Sequence, residues 1–450
     1  MIVMKFGGSS VADAQRIRRA TGLIKENLSQ KPVLVLSAMG DVTDYLLEAA
    51  QSAICDGPIS VEQSMVKITA PHLEAARELG LCETLPDDIS ALLADLGALL
   101  AGISLIKELS PRSKDFLVSF GERLSVRIAS LYLNKAGVKA QFLDAWDAGL
   151  FSTAVPGLAE ILDESYTTIP QKILPLVEAG VTPVVTGFIS KDSSGVITTL
   201  GRGGSDLSAT FIAAACRAAE VQVWKDVDGV LTADPRIVPE AAPVAEVTYE
   251  EAAELAYFGA QVLHPRAMQP CIKTGIPVLV KNSYNPKAPG TRISAFAENP
   301  ASSVRSITTR KNITLIDIIS SRMVGQSGFL AEVFASFAKY SISVDMLATS
   351  EVSVSLTVDS DYNLEKLKKD VGMIANVVVK TKKAIVTIIC NVGQSSLILE
   401  RAASVCVKNG VQIQMVSQGA SKVNVSFIVN DSEAPSLVKK LHEEFFGGLL

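Results

Sequence analysis

Lys5-Phe6-Gly7-Gly8-Ser9-Ser10 and Gly201-Arg202-Gly203-Gly204-Ser205-Asp206 stand far apart in the chain but share one design: an apolar run, then glycines, then a helical pattern. That order points backbone N–H groups and a helix N-terminus at an anion. Lys5 adds a mobile cation beside Gly7 and Gly8, whose missing side chains permit close approach to a phosphate. Arg202 brings a guanidinium able to fork onto a carboxylate, and Asp206 an acceptor for Lys5 or for a phosphate-bound Mg²⁺. Read singly, the first loop is equally a tight turn with a surface lysine, and Asp206 equally an N-cap or first-turn acid. Together they read as two halves of one phosphate site in a phosphoryl-transfer enzyme. Neither a Walker-A pattern nor the protein-kinase motif set occurs, so the phosphate machinery belongs to another class.

Three more segments offer chemistry. Glu122, in Ser119-Phe120-Gly121-Glu122-Arg123, is expected to open a helix after a strand-like run, as a plain first-turn acid or as a seat for an ammonium group. Ser37 to Thr43 supplies small residues and hydroxyls at another strand end. Trp224-Lys225-Asp226-Val227-Asp228-Gly229-Val230 leads on to Asp234-Pro235-Arg236. On one reading these are a core tryptophan and turn-forming acids; on the other they frame a nucleotide base and carry a cation to its phosphates.

The elements that must position these residues alternate. Uninterrupted apolar runs at Ile2 to Met4, Val33 to Ser37, Val181 to Thr186, Val221 to Trp224 and Pro277 to Val280 read as parallel strands covered on both faces. Helical patterns lie between them at 14–28, 43–54, 61–79, 121–136, 207–219 and 249–257. The expected fold class is α/β: a three-layer αβα domain over residues 1–295 with a mainly parallel sheet, its ligands beyond the carboxyl ends of the strands. Pro286, Pro289, Gly290 and Pro300 make 282–312 read as a connector.

Beyond it the chain repeats with an offset of about 69 residues. Val324-Gly325-Gln326-Ser327 recurs as Val392-Gly393-Gln394-Ser395, the helical stretch Phe329 to Phe337 as Ile398 to Cys406, the strand Ile342 to Met346 as Val411 to Met415, and the strand Val352 to Leu356 as Val423 to Phe427. The order and size fit two ferredoxin-like βαββαβ units, 313–383 and 384–450, with 296–312 as a linker and possible first strand of the second.

Composition sets bounds. At 450 residues, 48% of them hydrophobic, the chain supplies core for two or three domains. A formal net charge of −5 disfavours nucleic acid or an anionic membrane as partner. The six cysteines show no C-x-x-C and there are only three histidines, so free thiols and no metal site are expected. The apolar segment Ala91 to Ile106 is short of the ~20 residues that span a bilayer and reads as a buried helix. The early first strand leaves no room for a targeting segment, so the expected compartment is the cytosol, or another compartment if the protein is matured by loss of a segment.

These motifs, in this order, resemble the aspartate kinases of the amino-acid-kinase superfamily over essentially the whole chain. The matches are Lys5 to Ser10, Ser37 to Gly40, Val118 to Glu122, Gly201 to Asp206, Val227 to Val230, Asp234 to Arg236 and Phe258 to Pro265. The repeats resemble that family's tandem ACT regulatory domains, in which the first unit is inserted within the second; Val304 to Thr309 would then supply a strand to the unit containing Cys390. Val223 to Asp226 and Gln414 to Asn424 resemble the lysine-sensitive monofunctional branch, and most of all plant-type sequences.

The resemblance implies ATP and Mg²⁺ as cofactors, L-aspartate as substrate, lysine as inhibitor, and a homodimer or tetramer built through the ACT domains. It implies Lys5 and Asp206 in catalysis. Ser37, Thr43, Glu122, Arg202, Gly203, Gly204 and Ser205 would hold substrate, with Glu122 on the α-ammonium and Arg202 on the α-carboxylate. Lys5, Phe6, Gly7, Gly8, Lys225, Asp226, Leu231, Arg236, Gln261 and Val262 would hold the nucleotide. Met323, Gln326, Gly328, Phe329, Leu330, Ser343, Val344, Asp345, Thr349, Ser350 and Glu351 would hold the effector, with Asp345 and Glu351 meeting its charge. Many relatives carry Thr or Ser at the position of Lys225 and Lys at that of Gln261, which suggests a phosphate-holding lysine exchanged between neighbouring loops. Two competing readings are a related kinase acting on glutamate, acetylglutamate, carbamate or UMP, and a catalytically silent amino-acid sensor.

Overall fold

A computed structural model describes residues 1–55, 58–81, 86–258, 263–297, 303–324, 327–359, 363–390, 394–418 and 423–447. The chain folds into two compact units. The first comprises Met1–Val230, Ala245–Tyr249 and Leu263–Ala297, and the second Leu231–Val244, Glu250–Val262 and Glu298–Leu450.

The first unit is built on an eight-stranded sheet. In chain order its strands are β1 (Ile2–Phe6), β2 (Pro32–Leu36), β3 (Ala140–Leu143) and β4 (Thr182–Thr186), then, after a separate two-stranded hairpin of β5 (Ile189–Lys191) and β6 (Ile197–Thr199), β7 (Val221–Lys225), β8 (Glu246–Thr248), β9 (Val278–Asn282) and β10 (Thr291–Ser294). The spatial order is β3-β4-β2-β1-β7-β9-β10-β8, parallel throughout except for β9 against β10. The run ending at Leu200 is a strand of the separate antiparallel hairpin. The stretch 282–312, expected as a connector, contains β10, while the strand expected from Val304 is present and pairs with the segment ending at Cys390.

Alternation along β1 decides where Lys5 goes. Ile2, Met4 and Phe6 point into one apolar layer together with Leu34 and Leu36. That layer is closed by α1 (Ala14–Glu26), α2 (Val42–Cys55), α3 (Pro58–Glu78), α4 (Asp87–Ile106) and α5 (Pro111–Lys135). Lys5 therefore projects from the opposite face. There α6 (Ser165–Glu178), α7 (Gly204–Cys216) and α9 (Pro265–Thr274) pack on one another, with α7 against β1 and β2.

Helix α4 runs 20 residues, longer than the apolar segment suggests, and by length and composition alone it could cross a membrane. Its stripe Ile89, Leu92, Leu96, Leu100 and Ile103 instead packs into this core.

The second unit carries α8 (Tyr249–Tyr257) from Glu250 onward and a six-stranded antiparallel sheet. Its strands are β11 (Val304–Ile319), β12 (Met346–Thr349), β13 (Ser353–Val358), β14 (Asn376–Cys390), β15 (Met415–Ser417) and β16 (Asn424–Asn430), in the order β12-β13-β11-β14-β16-β15. Helices α10 (Phe329–Lys339) and α11 (Leu364–Val371) cover one half, and α12 (Ser395–Lys408) and α13 (Ala434–Phe446) the other.

Strand β11 serves both halves. Its first residues, Val304 to Arg310, pair with Cys390 to Ile385, while Thr314 to Ile319 pair with β13 and Leu315 to Ile319 with Lys380 to Asn376 of β14. The face away from the helices gathers Ile313, Leu315, Met346, Ile385, Met415 and Ile428 around Phe258.

Candidate active site

The site assembles at the carboxyl ends of β1 and β2 and around the loop that opens α7. Lys5 Nζ meets Asp206 Oδ1 at 2.7 Å, with both side chains about nine-tenths buried. Burial opposes ionisation of Asp206, but the charges of Lys5 and Lys225 outweigh it and hold its pKa below the ordinary carboxylate value. Lys225 feels the same field: burial lowers its pKa, Asp206 restores part of the shift, and Lys5 lowers it further. Lys5 and Lys225 thus both act on the buried Asp206, and Asp226 also acts on Lys225, a concentration of charge that can meet phosphate oxygens.

Backbone geometry explains the glycines. A Cβ on Gly8 would lie 2.9 Å from the Ala38 carbonyl and 3.0 Å from that of Gly40, so the loop after β1 seats directly on the loop after β2. Gly203 has φ +73° and caps α7 in the left-handed region, with His264 pressed beneath it. Asp206 falls in the first turn of α7 rather than at its cap.

Glu122 corrects the sequence reading. It lies in the middle of α5, which starts eleven residues earlier at Pro111 behind the capping Ser110, and the strand-like run before it is the helix's buried stripe. One carboxylate oxygen accepts the Ala38 N–H at 3.2 Å; the other is buried with no hydrogen-bond partner. Burial pushes the Glu122 pKa up to about 8, against the pull of the Ala38 N–H and of Lys5. A buried carboxyl left half-satisfied on a cavity wall has the chemistry to accept a cation.

That cavity, of about 1120 Å³, brings together Lys5, Gly8, Ser37, Thr43, Glu122, Arg202, Gly203, Gly204, Ser205 and Asp206. Arg202 is exposed at its rim, and the Ser37 hydroxyl donates to Ser205 Oγ at 3.1 Å. Asp115, which sequence reasoning missed, also lines it. Its buried carboxylate accepts the Gly157 and Thr199 N–H groups and the Thr199 hydroxyl, each at 2.9 Å, and so fixes the strand end that feeds the second glycine loop. Arg266 braces the same loop from Leu200 and Ala159 carbonyls at 2.9 and 2.7 Å. No local pattern marks either residue.

The residues expected at the nucleotide are placed as follows. Phe6 is fully buried, its ring 6.1 Å from that of Trp224 and nearly parallel to it, so its side chain serves the core because β1 alternation turns it inward. Trp224 likewise is a core residue. Lys225 ends β7 and Asp226 follows it in the first unit; Leu231 and Arg236 belong to the second, where Arg236 is closed onto Asp234 at 2.7 Å. Gln261 and Val262 lie outside the described residues.

In the second unit Gly328, with φ +90°, caps α10, and Met323 ends a short 3₁₀ turn before it. Phe329 sends its side chain into the core, leaving Leu330 partly exposed. Ser343, Val344 and Asp345 precede β12 instead of lying on a strand, because the pairing with β13 begins only at Met346. Thr349 ends β12, and Ser350 and Glu351 form the exposed turn after it. Gln326 lies outside the described residues.

Asp345 is not a free surface acid. Its Oδ1 accepts the Tyr257 hydroxyl at 3.0 Å and faces Arg310 Nη1 at 3.5 Å, while its Oδ2 is buried without a hydrogen-bond partner. Burial, with Asp345 beside it, drives the Tyr257 hydroxyl up to about 12.

Comparison with known proteins agrees with this geometry. Residues 1–282 match the amino acid kinase family, and 316–365 with 391–445 match the ACT domain. Aspartokinase 3, chloroplastic, of Arabidopsis thaliana is 48% identical, over 99% of this chain and 81% of its own. Two solved structures of E. coli aspartokinase III are 33% identical. The complex with lysine and aspartate (T-state) superposes with a TM-score of 0.84, covering 99% of both chains. The complex with aspartate and ADP (R-state) gives 0.80, covering 99% of this chain and 100% of that one. With a half-satisfied carboxylate, an arginine and a shared lysine–aspartate pair on one cavity, and likeness that runs from end to end, the chain belongs to the aspartokinases, a kinase family carrying ACT domains.

Proposed function

We propose that the chain transfers the γ-phosphoryl group of MgATP to the side-chain carboxylate of L-aspartate, giving 4-phospho-L-aspartate and ADP, and that lysine inhibits it through the ACT units. The observation that carries the substrate assignment is the unpartnered oxygen of Glu122, buried on the same cavity as Arg202. An α-amino acid presents an ammonium to the first and a carboxylate to the second, which leaves its side chain near Ser37, Thr43 and Lys5.

A side-chain carboxylate with pKa ~4 is already ionised at neutral pH, so the reaction needs no general base. It needs relief of repulsion between that carboxylate and a triphosphate. Lys5 and Lys225 supply positive charge, Asp206 keeps Lys5 aimed, and Gly7, Gly8, Gly203, Gly204 and Ser205 allow close backbone approach. Among the described residues no three His, Cys, Asp or Glu side chains form a metal cluster. That suits Mg²⁺ carried mainly by phosphate oxygens and water, with Asp206 and Asp226 the nearby carboxylates. The E. coli R-state complex contains aspartate and ADP, the acceptor and the spent nucleotide of such a reaction.

Coupled ADP release with a panel of acceptors tests the reading: activity with L-aspartate and little with L-glutamate, acetylglutamate, carbamate or UMP is expected, and preference for another acceptor overturns it. Arg202→Ala is expected to raise the aspartate KM by about 10²-fold with little change in the ATP KM, the loss of a charge-assisted fork. A selective rise in the ATP KM would reassign Arg202 to the nucleotide.

For regulation, the buried Oδ2 of Asp345 supports a cationic effector, but Arg310 already holds the other oxygen. A lysine ammonium would therefore compete with an internal guanidinium. Asp345→Asn should abolish inhibition with kcat nearly intact, and Arg310→Gln should lower the half-inhibiting lysine concentration several-fold. Lysine titrations of both variants check this, and unchanged inhibition in Asp345→Asn would place the effector elsewhere.

A further inference from the structure

A second cleft in the first unit, of about 410 Å³, lies apart from the lysine–aspartate pair and is lined by cations. Arg112, Phe116 and Arg123 reach it from α5, Lys191 from the β5–β6 hairpin, and Trp146 from the turn after β3. The one acid on its wall is the exposed Asp95. Lys191 Nζ sits 4.0 Å from the centre of the Trp146 ring, and the Arg123 guanidinium 5.8 Å from the same centre.

These charges are only partly balanced from behind. Arg123 Nε and Arg127 Nη1 lie 3.5 and 3.2 Å from the buried Asp144, Arg127 also meets Asp88 at 3.5 Å, and Asp147 is within electrostatic reach of Lys191. Arg112 and Lys191 have no carboxylate within ion-pair distance among the described residues. Three cations around a half-buried indole, two of them without an ion-pair partner, form a receptor for a small dianion with a flat or apolar body.

We propose that this cleft binds a phosphate monoester, its phosphate among Arg112, Arg123 and Lys191 and its carbon body against Trp146 and Phe116, and that occupancy biases the aspartate site. The coupling has a material route. Arg112 stands one turn from Asp115 on α5, and Lys191 shares its hairpin with Thr199, the two residues whose hydrogen bonds fix the second glycine loop. Binding is independent of the catalytic assignment; only its effect on aspartate rests on that reading. Coupling must be reciprocal, so aspartate should alter the affinity for the anion by the same factor.

Tryptophan fluorescence tests the binding, because Trp224 is buried in the core and Trp146 is the indole on the cleft. Titration with phenyl phosphate, in the presence of saturating MgADP and aspartate to block the catalytic cavity, should give a saturable change. The double variant Arg112→Gln/Lys191→Gln, whose substitutions lie outside the core and outside the catalytic cavity, should fold normally by thermal melting, keep its basal kcat and weaken that response at least tenfold. Inorganic phosphate should bind more weakly than phenyl phosphate if the ring contributes. No saturable response up to about 10 mM, a range in which ~4 kcal/mol of binding would register, overturns the site, as does an equal response in the double variant. Saturable binding that leaves the aspartate KM unchanged overturns the coupling alone.

Discussion

Replacing Lys5 by alanine is expected to lower kcat by about 10²-fold or more, because its charge opposes the charge that spreads over the phosphoryl group in flight. The variant also strands Asp206, a carboxylate nine-tenths buried whose partner lies at 2.7 Å. Lys225 relieves part of that charge, so the chain should still fold, with a reduced Tm. The double variant Lys5→Met/Asp206→Asn separates the effects: it should recover stability without recovering turnover. A folded Lys5→Ala protein with near-normal kcat would reduce the lysine to a structural counter-ion.

Glu122 governs the second large effect. With its pKa pushed up to about 8, the free enzyme at pH 7 holds this carboxyl mostly protonated, and an arriving ammonium must first displace the proton. The apparent aspartate affinity should therefore rise about tenfold per pH unit from pH 6 towards pH 8, then level off. Glu122→Gln should flatten that profile and raise the aspartate KM by about 10²-fold.

Stability runs the other way. A carboxyl whose folded pKa exceeds its unfolded value of about 4.5 contributes full stability below that value and loses it as the pH climbs to the folded pKa. Between 4.5 and 7 the cost is on the order of 3 kcal/mol at about 1.4 kcal/mol per unit. Glu122→Gln should thus raise the Tm of the ligand-free protein at pH 7 and hardly change it near pH 4.5. A pH-independent aspartate KM in the unmodified protein would remove Glu122 from the substrate.

What the chain betrays in advance follows physical range. Glycines that a close neighbour or a left-handed backbone bars from carrying a side chain, as at Gly8 and Gly203, leave a mark in the sequence. Continuous apolar runs mark buried parallel strands, and β1, β2, β4, β7 and β9 stand within a residue or two of their expected places. Glu122 was recognisable by type and misplaced by context, since a helix stripe of Phe116, Leu117 and Val118 looks locally like a strand.

The network at Asp345 was invisible for another reason. Its partners, Tyr257 and Arg310, lie 88 and 35 residues away and are brought to it only by tertiary packing. Phe6 shows a different limit: its place in a glycine motif says nothing of its ring, which the pleat of β1 turns to the core.

The shared strand β11 has a consequence for how the regulatory half can change over evolutionary time and in the laboratory. The two repeats look like cassettes in sequence, yet one continuous segment forms an inner strand for both, and β14 does the same in return. Deleting or transplanting one repeat would strip its neighbour of a central strand and expose its apolar floor. A chimera that grafts a foreign effector specificity should therefore exchange the whole span from Val304 to Phe446, or only the loops, and a cut at the apparent repeat boundary should yield insoluble protein.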